Sequence, residues 1–490
     1  MTDTLTNLPA RSRAAVRASR IGFFVGPLIL LCFLLVPPPG DVARDTWIAL
    51  GLLLLMASWW ATEAIPLPAT SLLPIALIPL LELGTIASAT APYANHVIFL
   101  FMGGFMLGLA MQRWQLHRRI ALLTLLAVGN KPRNQIGGFM LATALIGMWV
   151  SNTATAIMML PIALSVISLL DHGADPTEGP ARQRFATMLL LGIAYAASIC
   201  GISTLIATPP NAMLAAYLHE HHDIQIGFLQ WMKVGIPITA CMLLFTWWWL
   251  TRGGFDFTVR DSRALLHKEL QELGPMSRGE KLVSVVFVCV AVAWVTRPLL
   301  AEHLPGLTDA GIAMIMAVSL FLIPVDWKAR TFLMDWDHAS KLPWGVLLLF
   351  GGGLSLAGVI TTSGLAEWVA DSLTLAVILP TLLLIGLVVL VINVFTEVTS
   401  NTATAAAFLP LMGALAVSQG LPPELLTIPA AIAASCSFIM PVATPPNALV
   451  FGTGRIPLPA MMRAGLALNI FGIILVTLLG YLIVGYLWST

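Results

Sequence analysis

The chain has 490 residues, 58% of them hydrophobic and 10% charged, with a mean hydropathy of +0.89 and a formal charge of +1. A soluble globular domain carries about 25% charged residues, so this composition excludes a soluble enzyme with a single anchor, and the missing basic field excludes a nucleic-acid partner. The five cysteines, Cys32, Cys200, Cys241, Cys289 and Cys436, are single and make no CxxC or metal spacing, so no disulfide framework is implied.

Residues 1–20 form a polar tail carrying Arg11, Arg13, Arg17 and Arg20. The apolar run 21–36 ends in Pro37-Pro38-Pro39-Gly40 without a small-residue cleavage site, so it reads as a first span and not as a signal peptide. At about 20 apolar residues per crossing, further spans are predicted near 47–63, 66–83, 95–112, 185–218, 230–250, 281–299, 309–325, 343–361, 426–452 and 461–488, eleven in all. Trp59 and Trp60 read as interfacial anchors. Gly103-Gly104 and Gly351–Gly353 lack a nucleotide-loop context and read as close helix packing. His219-Glu220-His221-His222 reads as a solvated outer loop, and Asp261–Leu273 as a cytoplasmic amphipathic helix.

With the Arg-rich tail inside, loops 113–133, 171–185, 251–282, 326–342 and 453–460 are also cytoplasmic, and together they hold 21 of the 25 Lys and Arg residues. That partition satisfies the positive-inside rule, with the N-terminus in and the C-terminus out.

Segment 134–170 is free of charge, too long for one span and short for two. Its middle is Ser151-Asn152-Thr153, which leaves two arms of about 25 Å at 1.5 Å per residue, just short of a roughly 30 Å hydrocarbon core. A re-entrant hairpin with a polar tip fits the length, provided that the tip is buried in protein or lines a wet cavity.

The chain repeats itself in inverted halves. Ser151–Ala156 (SNTATA) recurs as Ser400–Ala405, and Phe101-Met102-Gly103-Gly104 aligns with Phe350–Gly353 at the same offset of 249. Ala207–Ala212 (ATPPNA) recurs as Ala443–Ala448 at an offset of 236, one loop absorbing the difference. An odd number of crossings separates hairpin 134–170 from hairpin 379–418, so their tips enter from opposite sides.

Each Thr-Pro-Pro-Asn motif lies in the middle of a charge-free span. Two prolines in a helix interior remove two N–H donors and orphan the carbonyls four residues back, Leu205 and Ile206 or Pro441 and Val442. A helix broken there offers carbonyls to a cation and N–H groups to an anion. Neither hairpin tip nor break has Lys or Arg nearby, so an anion is held by Ser, Thr, Asn, helix N-termini and co-bound cations, and neutral oxygens suit sodium. Glu397, four residues before Asn401, is an intramembrane ionisable group for which structural hydrogen bonding and ion coupling are both open. The second hairpin is the more polar, with Asn393, Thr396, Glu397 and Thr399 where the first has Ala144, Gly147, Met148 and Val150.

These motifs, with Trp59–Thr70 (WWATEAIPLPAT) and Ser435–Val450 (SCSFIMPVATPPNALV), resemble the divalent anion:sodium symporter family over nearly the whole chain. The resemblance implies an all-α polytopic membrane protein, an inverted-repeat transporter with about 11 transmembrane helices, two re-entrant hairpins and two broken helices, working as an elevator in a homodimer. It implies a scaffold at 21–133 and 283–378, a transport domain at 134–250 and 379–490, and a cytoplasmic linker at 251–282. The implied function is sodium-coupled import of C4-dicarboxylates across the bacterial inner membrane, with sodium as the coupling ion and no organic cofactor. Exchange, proton coupling, or citrate, tartrate or sulfate as cargo remain alternatives, with an anion channel or efflux pump further off.

Carried over by residue, the first sodium site uses Ser151, Asn152 and the Ala207 backbone, and the second uses Thr396, Asn401 and the backbones of Thr399 and Ala443. The dianion is held by Asn152, Thr153, Thr208, Asn401, Thr402 and Thr444. Gly147 departs from the family pattern where a hydroxyl ligand can stand, and a serine there is expected to add one.

Overall fold

The structure, a computed structural model, describes residues 13–171, 179–255, 262–301, 303–372 and 379–484. Residues 1–12 of the tail, 172–178 of loop 171–185, Asp261, and the end of the last span lie outside them. Among the described residues the regular elements are helices but for a two-stranded hairpin, β1 (Pro324–Asp326) with β2 (Thr331–Phe332). Among the described residues ten helices are long and apolar enough to cross a membrane; eight fall in expected spans, and two, Asn152–Leu169 and Asn401–Ser418, are hairpin arms.

The first half opens with an antiparallel pair, α1 (Arg13–Leu35) and α2 (Arg44–Thr62), then α3 (Leu67–Thr70) and α4 (Leu73–Leu80). Expected span 66–83 is thus two short pieces and not one helix, because Pro68 and Pro74 fit only in a first helical turn. α5 (Ile86–Thr90) leads through a 3₁₀ turn into α6 (His96–Arg113). Loop 113–133 is instead largely helical: α7 (Leu116–Val128) packs its apolar face on α8 (Pro132–Gly147), the first arm of hairpin one. α9 (Asn152–Asp171) is the second arm, and α10 (Gly179–Ile199), α11 (Pro209–His222) and α12 (Phe228–Thr251) follow.

The amphipathic helix is present as α13 (Ser262–Leu273) and packs on α7. The second half runs through α14 (Arg278–Ala301), α15 (Asp309–Leu322), α16 (Trp336–Ala339), α17 (Trp344–Thr362) and α18 (Leu365–Ser372). Hairpin two is α19 (Thr381–Thr396) and α20 (Asn401–Ser418), followed by α21 (Pro423–Ala434), α22 (Pro445–Phe451) and α23 (Leu458–Leu479). α7 and α18 begin at equivalent repeat positions, 116 and 365, so the repeat extends to these short helices.

Contacts between loops agree with the charge partition. Arg113 pairs with Asp335 at 2.7 Å, Arg119 with Glu280 at 2.8 Å, and Arg118 with Glu269, all between segments assigned to the cytoplasmic side. Arg297–Asp309 at 3.1 Å and Asn95–Glu220 at 2.9 Å join segments assigned to the outside. Trp60 is not an interfacial anchor: it is buried and its Nε1 donates to Ser71 Oγ at 3.3 Å, because α2 turns it toward α3. The glycine runs do mark close packing, since a Cβ at Gly103 would lie 2.7 Å from the Ala313 carbonyl oxygen.

Candidate functional site

Both hairpin tips have the same construction. α8 ends at Gly147 and α9 starts at Asn152, while α19 ends at Thr396 and α20 starts at Asn401, equivalent positions of the 249-residue repeat. Ser151 Oγ accepts the Ala154 N–H at 3.4 Å, which caps α9.

The breaks differ from the sequence expectation in one respect. Pro209-Pro210 and Pro445-Pro446 open the first turns of α11 and α22, where a missing N–H costs nothing. The interruption lies upstream, at 200–208 and 435–444. Leu205, Ile206, Pro441 and Val442 are therefore not carbonyls orphaned inside a helix. The two motifs nevertheless share one geometry: Thr208 has φ −143° and ψ 142°, Thr444 has φ −139° and ψ 150°. Asn211 Nδ2 donates to the carbonyls of Gly201 (2.9 Å) and Thr204 (2.8 Å), and Asn447 Nδ2 to those of Ser437 (3.5 Å) and Met440 (3.1 Å), matching at an offset of 236. The Asn of each motif thus ties the irregular backbone down, using carbonyls that have no helical partner.

In the second half, α19 presents Asn393, Thr396 and Glu397 on one face to the break. Thr396 Oγ1 stands 2.9 Å from Asn401 Oδ1 and 2.8 Å from the Ala434 carbonyl, two acceptors for its one hydrogen, and Ser437 Oγ donates to Asn401 Oδ1 at 3.1 Å. The structure therefore gathers Thr396 and Asn401 as expected and adds Ser437, which the sequence reading did not assign. The 236 offset sets Ser437 opposite Gly201, and that polar difference was the available signal. Asn393 Nδ2 donates to the Cys436 carbonyl at 2.6 Å. The Thr399 hydroxyl is engaged elsewhere: it donates to the Phe395 carbonyl at 2.9 Å and meets Thr404 Oγ1 at 2.7 Å, lining an apolar cleft with Leu53 and Trp60, and it is the Thr399 backbone that the sequence reading assigned to the second site. Only its backbone is left for a cation. Ala443, Thr402 and Thr444 are buried, and Thr444 Oγ1 accepts the Asn447 N–H at 3.3 Å.

In the first half, Asn152, Gly201 and Thr208 come together: a Cβ on Gly201 would lie 3.2 Å from Thr208 Cβ and 3.8 Å from Asn152 Nδ2. Ser151 and Thr153 flank Asn152, all partly exposed, and Ala207 is buried. Thr204 Oγ1 donates to the Met148 carbonyl at 2.7 Å, tying break to hairpin. The expected room for a serine at 147 is absent, because a Cβ there overlaps the Cys200 sulfur. Thr155 Oγ1 and Ser198 Oγ are buried without hydrogen-bond partners. α9 packs on α22 and α11 on α20, so each hairpin meets the broken helix of the other half.

The His219–His222 segment is not a solvated loop but the last turn of α11. Tyr217 Oη lies 3.1 Å from His222 Nε2, and the His96 and His219 rings meet edge-on at 4.7 Å. Burial pushes His221 down to about 4, helped by His222, and raises Glu220 despite the bond from Asn95.

Paired hairpins, paired helix breaks and neutral oxygen clusters define a polytopic membrane transporter of inverted-repeat design. Residues 19–489 match the model of the sodium:sulfate symporter transmembrane region, and the chain belongs to that family, as its motifs implied. Among its relatives, the sodium-dependent dicarboxylate transporter SdcS of Staphylococcus saprophyticus is 40% identical over 474 residues, covering 95% of this chain and 91% of that protein. SdcS of Staphylococcus aureus is 41% identical over 470 residues, covering 94% and 90%. Two solved structures share the fold: the Alcanivorax borkumensis YdaH transporter (TM-score 0.51, 16% identity, 91% of this chain and 99% of that one) and Neisseria gonorrhoeae MtrF (TM-score 0.54, 13% identity, 97% and 95%).

Proposed function

We propose that this chain imports C4-dicarboxylates such as succinate, malate and fumarate together with sodium. In this reading segments 134–250 and 379–490 move as an elevator against a scaffold of 21–133 and 283–378, within a homodimer in the bacterial plasma membrane, N-terminus inside and C-terminus outside. The observation that carries it is the oxygen cluster of Thr396, Asn401 and Ser437 beside a helix break, in a region without Lys or Arg. Neutral oxygens suit a hard monovalent cation, and a dianion needs the charge which that cation brings. Asn152, Thr153, Thr208, Asn401, Thr402 and Thr444 then hold the carboxylates, with Ser151, Asn152 and the Ala207 carbonyl on the first sodium ion and Thr396, Asn401 and the Thr399 and Ala443 carbonyls on the second. The dicarboxylate specificity in the names of the two staphylococcal relatives supports the cargo class.

The test is uptake of labelled succinate into proteoliposomes under imposed sodium and proton gradients. Sodium-driven accumulation is expected; uptake indifferent to replacement of sodium by choline would overturn the coupling. The Cys200 sulfur against Gly147 favours one second reading, a carrier in which the first site contributes little to coupling.

A further inference from the structure

We infer that Glu397 is a positioning residue for the second cation site, pinning the helix break so that Ser437 stands beside Thr396 and Asn401 as a further side-chain ligand. The inference rests on the sodium-coupled reading above. Glu397 is 5% exposed. Its Oε1 accepts the N–H groups of Phe438 (2.8 Å) and Ile439 (3.1 Å), and its Oε2 those of Ile439 (3.2 Å) and Met440 (3.1 Å). Asn469 Nδ2, from α23, adds a bond to Oε1 at 2.7 Å and another to Asn393 Oδ1 at 2.9 Å. Successive backbone N–H groups closing on one carboxylate form an anion nest, and such charge-assisted bonds are the strong ones.

The pinned run begins at Phe438, immediately after Ser437. Asn393 holds the Cys436 carbonyl on the other side. Between these two anchors Ser437 Oγ is set 3.1 Å from Asn401 Oδ1, the atom that Thr396 Oγ1 also meets at 2.9 Å. Both hydroxyl groups can rotate to turn lone pairs toward an arriving cation, giving it three side-chain oxygens from three separate stretches of chain. Such a ligand set binds well only when its members are fixed beforehand.

The first half shows that the carboxylate is not needed merely to make a break. It reaches the same Thr conformation and the same paired Asn bonds with Met148 at the position of Glu397, Ala144 at that of Asn393 and Gly201 at that of Ser437. Where the anchor is missing, the ligand it would position is missing too. The pair belongs together as one device, present in the second half alone.

The test uses the full chain in nanodiscs and proteoliposomes, comparing wild type with Glu397→Gln, Ser437→Ala and Ser437→Thr. Three quantities are read: amide hydrogen exchange over 436–442, the sodium concentration for half-maximal succinate uptake, and the succinate half-saturation at saturating sodium. Glu397→Gln places an NH2 group against backbone donors, so exchange at 438–440 should accelerate and the sodium requirement should rise by about tenfold or more, as for loss of a group that orients a cation's ligand. Ser437→Ala should raise the sodium requirement without changing exchange, Ser437→Thr should restore it, and the succinate half-saturation should hold in all three. Unchanged exchange in Glu397→Gln overturns the anchor, and a wild-type sodium requirement in Ser437→Ala overturns the ligand. If Glu397→Gln does not fold, Asn469→Ala, which removes one donor, takes its place in the exchange measurement. Wild-type uptake indifferent to sodium overturns the coupling reading and the ligand role of Ser437 together, while exchange still decides whether Glu397 pins the break.

Discussion

The sulfur of Cys200 fills the space that a side chain at Gly147 would need. Gly147→Ser should therefore impair transport and not improve it, since overpacking a buried site costs about 1–3 kcal/mol. Paired with Cys200→Ala, which clears the sulfur, the same serine should bring its hydroxyl to the first site and lower the sodium requirement below that of wild type. Sodium titration of uptake on the single and double variants checks this. An improvement in the single variant would show that Cys200 yields.

Asn401 Oδ1 is the shared acceptor of Thr396 and Ser437, and Asn152 is its repeat partner. Asn401→Ala and Asn152→Ala should each reduce succinate uptake to background while the protein still elutes as a folded species from size exclusion. Near-normal uptake with unchanged apparent affinity in either variant would mean that its tip only caps a helix.

Asn211 and Asn447 tie down the carbonyls of the two breaks; leucine at 211 removes the donor to Gly201 and Thr204, and leucine at 447 removes the donor to Ser437 while Met440 keeps the Ala443 N–H. Each substitution should destabilise by about 2–3 kcal/mol, read as a lowered thermal midpoint in detergent. Equal midpoints in wild type and variant would mean that other donors already serve those carbonyls.

His221 sits beside His222, Glu220 and Tyr217 at the end of α11. Unfolded, it takes its proton near the ordinary value of 6.5; folded, burial and then His222 delay uptake to about 4. The folded chain is thus favoured above pH 6.5 and loses that advantage as pH falls through this window toward 4. Thermal midpoints should drop over that window in wild type and less steeply in His221→Gln. Parallel curves would remove His221 from the account.

Asn95 Nδ2 and Glu220 Oε1, 2.9 Å apart, join α6 of the proposed scaffold to α11 of the proposed moving domain. Cysteines at both positions, in a background where the five native ones are replaced, should cross-link under mild oxidation and stop uptake reversibly. Full uptake by the cross-linked protein would rule out relative movement at this contact.

Much of this architecture was legible because membranes constrain sequence severely. Backbone must be satisfied internally, so charge-free runs, their lengths and their repeats located both hairpins and both breaks. What escaped the sequence were effects of tertiary direction. Nothing local shows that Trp60 turns inward to Ser71 or that Cys200 closes on Gly147. The prolines were misread for another reason: their position marked a break, but whether they end one helix or begin the next depends on which carbonyls find partners. Those partners, Gly201 with Thr204 and Ser437 with Met440, are supplied by the Asn downstream. Helix α7 was hidden among basic residues, though its counterpart at the 249 offset, α18, lies in a less charged stretch.

Asn469 reaches back 72 residues to the Glu397 carboxylate and 76 to Asn393. A chain emerging from the ribosome therefore completes both hairpins and both breaks before the donor that finishes the second one exists. Until α23 joins the bundle, a buried carboxylate stands one hydrogen bond short, and the polar face of α19 is open toward the place that α23 will fill. Assembly of the proposed cation site therefore waits on the last helix to be made. Chains that stop before Asn469 leave that carboxylate to its backbone donors alone and Asn393 Oδ1 without the amide it meets in the full chain.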